Sequence, residues 1–158
     1  MKKTGVISVQ DSPNEAKLEQ NNPPHRILVV DDDDDVRQLS VDVLIDFGYE
    51  VGVAKDGADG WEALQADSYD LIVTDNKMPR MTGIEMLEKL RSARIELPVI
   101  MATGSLPTYE FVRKPWLTPD SVLQRPFTPE ELLDTVQKVL SKDDGYSTES
   151  SPLLRKYL

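Results

Sequence analysis

Short apolar runs alternate with stretches of helical periodicity, and that alternation limits what this chain can fold into more than any other feature. The runs are residues 26–31 (RILVVD), 50–54 (EVGVA), 70–74 (DLIVT), 98–102 (PVIMA) and 121–124 (SVLQ). Each is too short for a core helix and is bounded by charged or turn-forming residues, which predicts buried strands. After the first run, Val36, Leu39, Val43, Leu44 and Phe47 recur at helical spacing, and Gly48 suits a left-handed C-terminal cap. Ala58, Trp61 and Leu64 mark a second helix, and Ile84, Leu87 and Leu90, after Gly83, a third. Thr128-Pro129-Glu130-Glu131 reads as a capping box opening a last helix whose inward face is Leu132, Val136, Val139 and Leu140. Between them, GSLPTYEFVRKPWLTPD carries Pro107, Pro115 and Pro119. Only one or two helical turns fit there, so the fourth helix is expected to be short or missing. Strand–helix alternation of this kind implies an α/β fold, a doubly wound parallel sheet covered on both faces. Right-handed crossovers place every strand C-terminus at one edge, where ligands of open α/β sheets bind.

The chain has 158 residues, a net charge of −10 and no cysteine. The length suits one domain with a real core. The acid excess argues against binding nucleic acid through a basic face. Disulfides, thiolate metal sites and thiol catalysis are excluded. No apolar run approaches the ~20 residues that cross a bilayer, and the N-terminus has no continuous apolar segment of a secretory signal. A cytoplasmic protein is expected, with no membrane partner. Residues 1–24 are expected to form a flexible leader, 25–141 the folded domain and 142–158 a flexible tail.

The predicted strand ends gather a distinctive set of side chains. The first delivers Asp31 and Asp32, the third Asp75, the fourth Thr103 and the fifth Arg125. Converging carboxylates without cysteine or clustered histidine favour a hard divalent cation, Mg²⁺ or Mn²⁺. The first run in fact ends in five consecutive aspartates, Asp31 to Asp35. Neighbouring like charges about 4 Å apart repel by about 1 kcal/mol in water and about 4 at an effective dielectric near 20. Metal ligation would relieve the first two. The other three fall at a helix start, where carboxylates cap free N–H groups and complement the helix dipole.

LVVDDDDDVR, LIVTDNKMPRMTG, PVIMATG and RPFTPEEL together resemble the receiver domain of two-component response regulators (CheY-like), from Arg26 to about Leu140. The stretch D-x-x-M-P-x-M-x-G, at Asp75 to Gly83, is the specific part. The resemblance implies a flavodoxin-like sheet of order 2-1-3-4-5. It makes Asp75 the acceptor of phosphoryl from a kinase phosphohistidine, and Asp31, Asp32 and Asp75 the Mg²⁺ carboxylates. Lys77 would add its backbone carbonyl to the metal. Thr103 and Arg125 would contact the phosphoryl group and act as the switch, with a cis Arg125–Pro126 peptide. The implied partners are a sensor histidine kinase or phosphotransfer protein and a downstream protein target. With about seventeen residues after the last helix, a single-domain regulator signalling by protein contact is expected, without an output domain, without nucleic acid and without enzymatic activity of its own.

The sequence departs from that family at several points. Arg125 replaces a lysine, and guanidinium is larger, planar and bidentate. Val122 stands where the family has an aromatic. Tyr109, Phe111 or Trp116 could replace its switching role, but the favoured expectation is that they cover the core beneath an irregular loop. ATGS after the fourth strand resembles an atypical receiver subgroup with a broken fourth helix. A phosphatase of the haloacid-dehalogenase type would need an acid two residues after Asp75, where Lys77 stands. An EF-hand fails at Val36, where glycine is required, and no G-x-G-x-x-G follows the first strand. His25, the one histidine, lies beside prolines and reads as a linker residue. The rival from another class is a pseudo-receiver that binds partners without phosphorylation.

Overall fold

A computed structural model of the chain describes residues 23–143. Residues 1–22 and 144–158, where a leader and a tail are expected, lie outside the described residues. The strands are β1 (Arg26–Val30), β2 (Glu50–Ala54), β3 (Leu71–Thr74), β4 (Val99–Thr103) and β5 (Ser121–Gln124). The helices are α1 (Asp34–Phe47), α2 (Gly57–Ala66), α3 (Gly83–Ser92), α4 (Thr108–Arg113) and α5 (Pro129–Asp143), with a 3₁₀ turn at Pro115–Leu117. All strand pairs are parallel, in the order β2-β1-β3-β4-β5. The expected sheet is therefore present, in the expected order. Asp70 and Pro98 fall just outside their strands. Asp70 instead turns its carboxylate to accept the Arg26 N–H at 2.7 Å, and Pro98 has no N–H to donate.

Alternation along the strands builds two cores. Leu28, Val30, Ile72 and Met101 face one side, under Met86, Leu87 and Leu90 of α3. Ile27, Val29, Leu71, Val73, Ile100 and Ala102 face the other, under Leu44 of α1 and Leu132, Val136, Val139 and Leu140 of α5. The inward face expected of α5 is thus the observed one. Its capping box is also present: the Glu131 N–H donates to Thr128 Oγ1 at 3.1 Å and the Thr128 N–H to Glu131 Oε1 at 2.8 Å. Thr82 and Glu85 cap α3 in the same reciprocal way. Gly48 ends α1 at φ 113°, in the left-handed region. One α1 position is corrected: Leu39 is 46% exposed, and the smaller Ser40 takes the buried place beside it.

The proline-rich segment behaves as its chemistry dictates. α4 has six residues, and Pro115 starts the separate 3₁₀ turn. Of the three aromatics expected to cover the core, only Phe111 does, at 2% exposure, whereas Tyr109 and Trp116 are 69% and 59% exposed. A single short turn has one inward stripe, and Phe111 and Leu117 fill it. Phe111→Ala is expected to cost about 3–5 kcal/mol, and Trp116→Ala about 0.5 kcal/mol or less. Urea unfolding of both variants checks this, and equal losses would place Trp116 in the core.

Candidate functional site

The register of the sheet assembles the acidic edge. Val30 pairs with Thr74, so Asp31 and Asp75 leave adjacent strands side by side. Two ladder bonds run past the strand ends: the Asp31 N–H donates to the Ala54 carbonyl at 3.1 Å and the Asp75 N–H to the Val30 carbonyl at 3.0 Å. Thr103 pairs with Gln124, and Arg125 follows, its N–H donating to the Thr103 carbonyl at 3.2 Å. The Arg125–Pro126 peptide is cis. All five predicted strand-end residues therefore lie on one edge.

Asp31 and Asp75 are buried there and Asp32 is exposed, and carboxylate oxygens of the three lie within 4.8 Å of one another. Arg125 sits against this cluster. Its Nη2 is paired with Asp31 Oδ2, and its Nη1 lies 3.5 Å from Asp75 Oδ2. Asp31 Oδ1 accepts the Asp33 N–H at 3.0 Å, and Asp75 Oδ1 accepts the Asn76 N–H at 2.7 Å. Burial pushes the Asp75 carboxyl above its ordinary value, and the Asp32 charge adds to that, against hydrogen bonds from Asn76, Thr103 and Lys77. Burial also lowers Arg125, although a guanidinium stays protonated. Thr103 is buried, and its hydroxyl is engaged with the Ser105 backbone, accepting the Ser105 N–H at 3.2 Å. Lys77 brings its backbone N–H to Asp75 and leaves its side chain exposed. The donor set, three carboxylates all offering hard oxygen, fits a small divalent cation held by Asp31, Asp32 and Asp75.

Of the remaining aspartates, Asp33 is the N-cap of α1. Its Oδ1 accepts the Asp35 and Val36 N–H groups at 2.9 and 3.1 Å. Asp34 and Asp35 occupy the exposed first turn, where negative charge meets the positive helix end.

Other positioning residues escaped the sequence reading. Arg37 donates from Nη1 to the Asp31 carbonyl at 2.8 Å and pairs with Asp34. Arg80, at φ 67°, pairs through Nε with the buried Asp56 at 2.8 Å and also with Asp59. That guanidinium holds the Asp56 carboxyl below its ordinary value. It ties the loop after Asp75 to the N-terminus of α2, which Asp56 caps. Gly83 closes the same loop: its N–H donates to the Asn76 carbonyl at 2.9 Å, and a Cβ there would strike the Asp75 carbonyl. The signals were the N-cap position of Asp56 and the fixed glycine of the Asp75 motif; the Arg80 pairing is set by tertiary contact alone.

Residues 27–137 match the family described as "Response regulator receiver domain". The chain is 35% identical over 112 residues to the transcriptional regulatory protein DltR of Streptococcus agalactiae, covering 71% of this chain and 50% of that protein. It thus spans about half the length of the curated relatives it matches. A CheY-like response regulator receiver domain protein from Methanospirillum hungatei JF-1 superimposes with a TM-score of 0.73 at 29% identity, over 78% of this chain and 99% of that one. The response regulator TrrA of Thermotoga maritima, solved in complex with Mg(2+)-BeF, gives a TM-score of 0.65 at 30% identity, over 73% of this chain and 98% of that one. Among the described residues no helix is long and apolar enough to cross a membrane.

The raised Asp75 carboxyl has a consequence for stability. The group binds its proton more tightly folded than unfolded, so its contribution is most favourable below the ordinary value of 3.8 and is lost as pH rises through the folded value. Without metal, Asp75→Asn is expected to raise the melting temperature at pH 7, and the gain should vanish below about pH 3.8. Melting curves of the two proteins in chelator across that range test it. An unchanged or lower melting temperature at pH 7 would mean that Asp75 is not under charge stress.

Proposed function

The chain belongs to the response regulator receiver family, and from that membership and the acidic edge we propose that it accepts a phosphoryl group on Asp75 from a histidine kinase or phosphotransfer protein. The observation that carries this reading is the convergence of Asp31, Asp32, Asp75, Thr103 and Arg125 at one end of the sheet. In the step, an Asp75 carboxylate oxygen attacks phosphorus while the P–N bond of the donor imidazole breaks and its electron pair returns to the ring nitrogen. A divalent cation held by Asp31, Asp32, Asp75 and the Lys77 carbonyl would screen these carboxylates from the anionic donor. Such transfer depends on positioning and on charge stabilisation of the equatorial oxygens. The Asn76 N–H fixes one Asp75 oxygen at 2.7 Å. The Thr103 hydroxyl and Arg125 supply donors for the new phosphoryl oxygens.

The product adds charge and acceptor oxygens beside Arg125, which has to exchange Asp31 for them. Arg125 opens the segment that leads from β5 into α5, and its movement biases the face formed by α4, β5 and α5. Tyr109, Val112 and Trp116, all more than half exposed on or just after α4, suit an output by protein contact. An acidic chain of net charge −10 favours a protein target over nucleic acid for this domain.

Two experiments test the reading. Incubation with Mg²⁺ and acetyl phosphate is expected to add one phosphoryl group by intact mass, and Asp75→Asn to abolish the adduct. A folded parent that takes none would leave a pseudo-receiver that binds partners without phosphorylation. Lys77 follows Asp75 by two positions with its side chain exposed, and we propose that its ammonium pairs with the phosphoryl group and prolongs its lifetime. Lys77→Ala is therefore expected to shorten the phosphoryl half-life, and an unaltered half-life would remove that side chain from the site.

A further inference from the structure

We propose that residues 153–158 of this chain (LLRKYL) dock on the exposed apolar side of α4 in the same molecule and cover it. The exposed large apolar side chains among the described residues are Leu39, Ile45, Val53, Tyr109, Val112 and Trp116. The first three are scattered. Leu39 and Ile45 are six positions apart on α1, on different sides of that helix, and Val53 lies on β2. The last three belong to one short segment. Tyr109 and Val112 are three apart and share a side of α4. Trp116 follows in the 3₁₀ turn, where its carbonyl accepts from Arg91 Nε at 3.1 Å. Grouped apolar side chains left in water mark a contact surface.

The chain itself carries an occupant of matching chemistry. In LLRKYL four apolar residues, Leu153, Leu154, Tyr157 and Leu158, flank Arg155 and Lys156. Both ends of the chain are neutral overall: Lys2, Lys3 and Lys17 balance Asp11, Glu15 and Glu19, and Arg155 and Lys156 balance Asp144 and Glu149. The net charge of −10 therefore belongs to residues 23–143. A cationic apolar segment is drawn to such a domain. Glu110 lies on α4, and the exposed indole of Trp116 offers a face to a guanidinium or an ammonium. The path is short, because α4 and α5 flank the same edge strand. Val122 of β5 belongs to the core under Phe111 and Leu117, and its neighbour Leu123 to the core under α5. α5 runs back from the end of β5 near Arg125, and the segment holding Trp116 enters β5 from the opposite end, toward which α5 finishes at Asp143. Residues 144–152 span about 30 Å when extended, about the diameter of a small domain. Such a tether holds LLRKYL at a millimolar effective concentration, so an intrinsic affinity of ~0.1 mM keeps the patch mostly covered. That LLRKYL thereby withholds α4 from a target rests on the reading of α4 as an output surface; the docking itself does not.

The lack of cysteine makes disulfide trapping a clean test in the full chain. Arg113→Cys with Ser151→Cys puts thiols beside the α4 patch and just before LLRKYL, and leaves every apolar residue of both intact. Asp46→Cys with Ser151→Cys is the reference, since Asp46 is exposed near the end of α1. Both proteins are oxidised with glutathione disulfide at low protein concentration and followed on non-reducing gels. The Arg113 pair is expected to close within the monomer about tenfold faster than the Asp46 pair, the ratio of the tethered concentration to the affinity. Adding Leu153→Asp and Leu154→Asp should return it to the reference rate. Equal rates for the two pairs, or no effect of the added aspartates, would overturn the docking. A mainly interchain disulfide would also overturn it and assign the patch to a second copy. If circular dichroism shows the Arg113→Cys protein unfolded, Trp116 decides. Acrylamide should then quench tryptophan fluorescence less in the parent than in the Leu153→Asp, Leu154→Asp variant, and equal quenching would end the proposal. Trapping in a chain that takes no phosphoryl group from acetyl phosphate would keep the docking and discard the phosphoacceptor. An adduct on Asp75 with equal trapping rates would do the reverse.

Discussion

The arrangement depends on holding like charges together. Asp31, Asp32 and Asp75 share a space under 5 Å across, and two of them are buried. At an effective dielectric near 20, each such pair repels by about 4 kcal/mol at 4 Å. Parallel strands impose this geometry, because the ladder bonds of Asp31 and Asp75 leave their carboxylates no separate place to go. The protein offsets the repulsion locally. Arg125 spans two acids, and the N–H groups of Asp33 and Asn76 each hold one carboxylate oxygen. What remains is a site that gains from any incoming positive charge, which is the property a metal-assisted phosphoryl acceptor requires.

Rigidity around the cluster comes from contacts with no chemistry of their own. Two apolar cores clamp the sheet from either side, so the strand ends cannot splay. On the open side, the loop from Asn76 to Thr82 is secured at both ends. Arg80 fastens it to Asp56 and Asp59 at the start of α2, and Gly83 lets α3 begin directly against the Asp75 backbone. Arg37 does the same for the turn after β1. Precise donor placement is valuable at a cluster of like charges, because fixed dipoles stabilise charge without having to reorganise.

α4 is the least regular covering element. Its prolines cut it to a turn, Phe111 plugs the core beneath, and Tyr109, Val112 and Trp116 face outward. Short elements with few buried contacts sit at the low-stability end of a domain. A small change in charge at the sheet edge is easier to transmit into such a segment than into α3 or α5, whose buried stripes run along each helix.

Much of this was legible in one dimension. The strands, their order of appearance, the capping box of α5 and the proline break follow from period, cap chemistry and backbone sterics, all local properties. The strand-end residues were legible too, since a parallel sheet must bring successive C-termini to one edge. The sequence alone could not choose among Asp33, Asp34 and Asp35 for the N-cap, because that depends on where β1 releases the chain. It misjudged Leu39, Tyr109 and Trp116, since apolar character favours burial without saying which stripe meets the sheet. Nor could it show Arg125 reaching past Asp75 to Asp31, or Arg80 crossing to Asp56. Those pairings join residues 94 and 24 positions apart, and only the packed sheet, by fixing the distance between its loops, decides them.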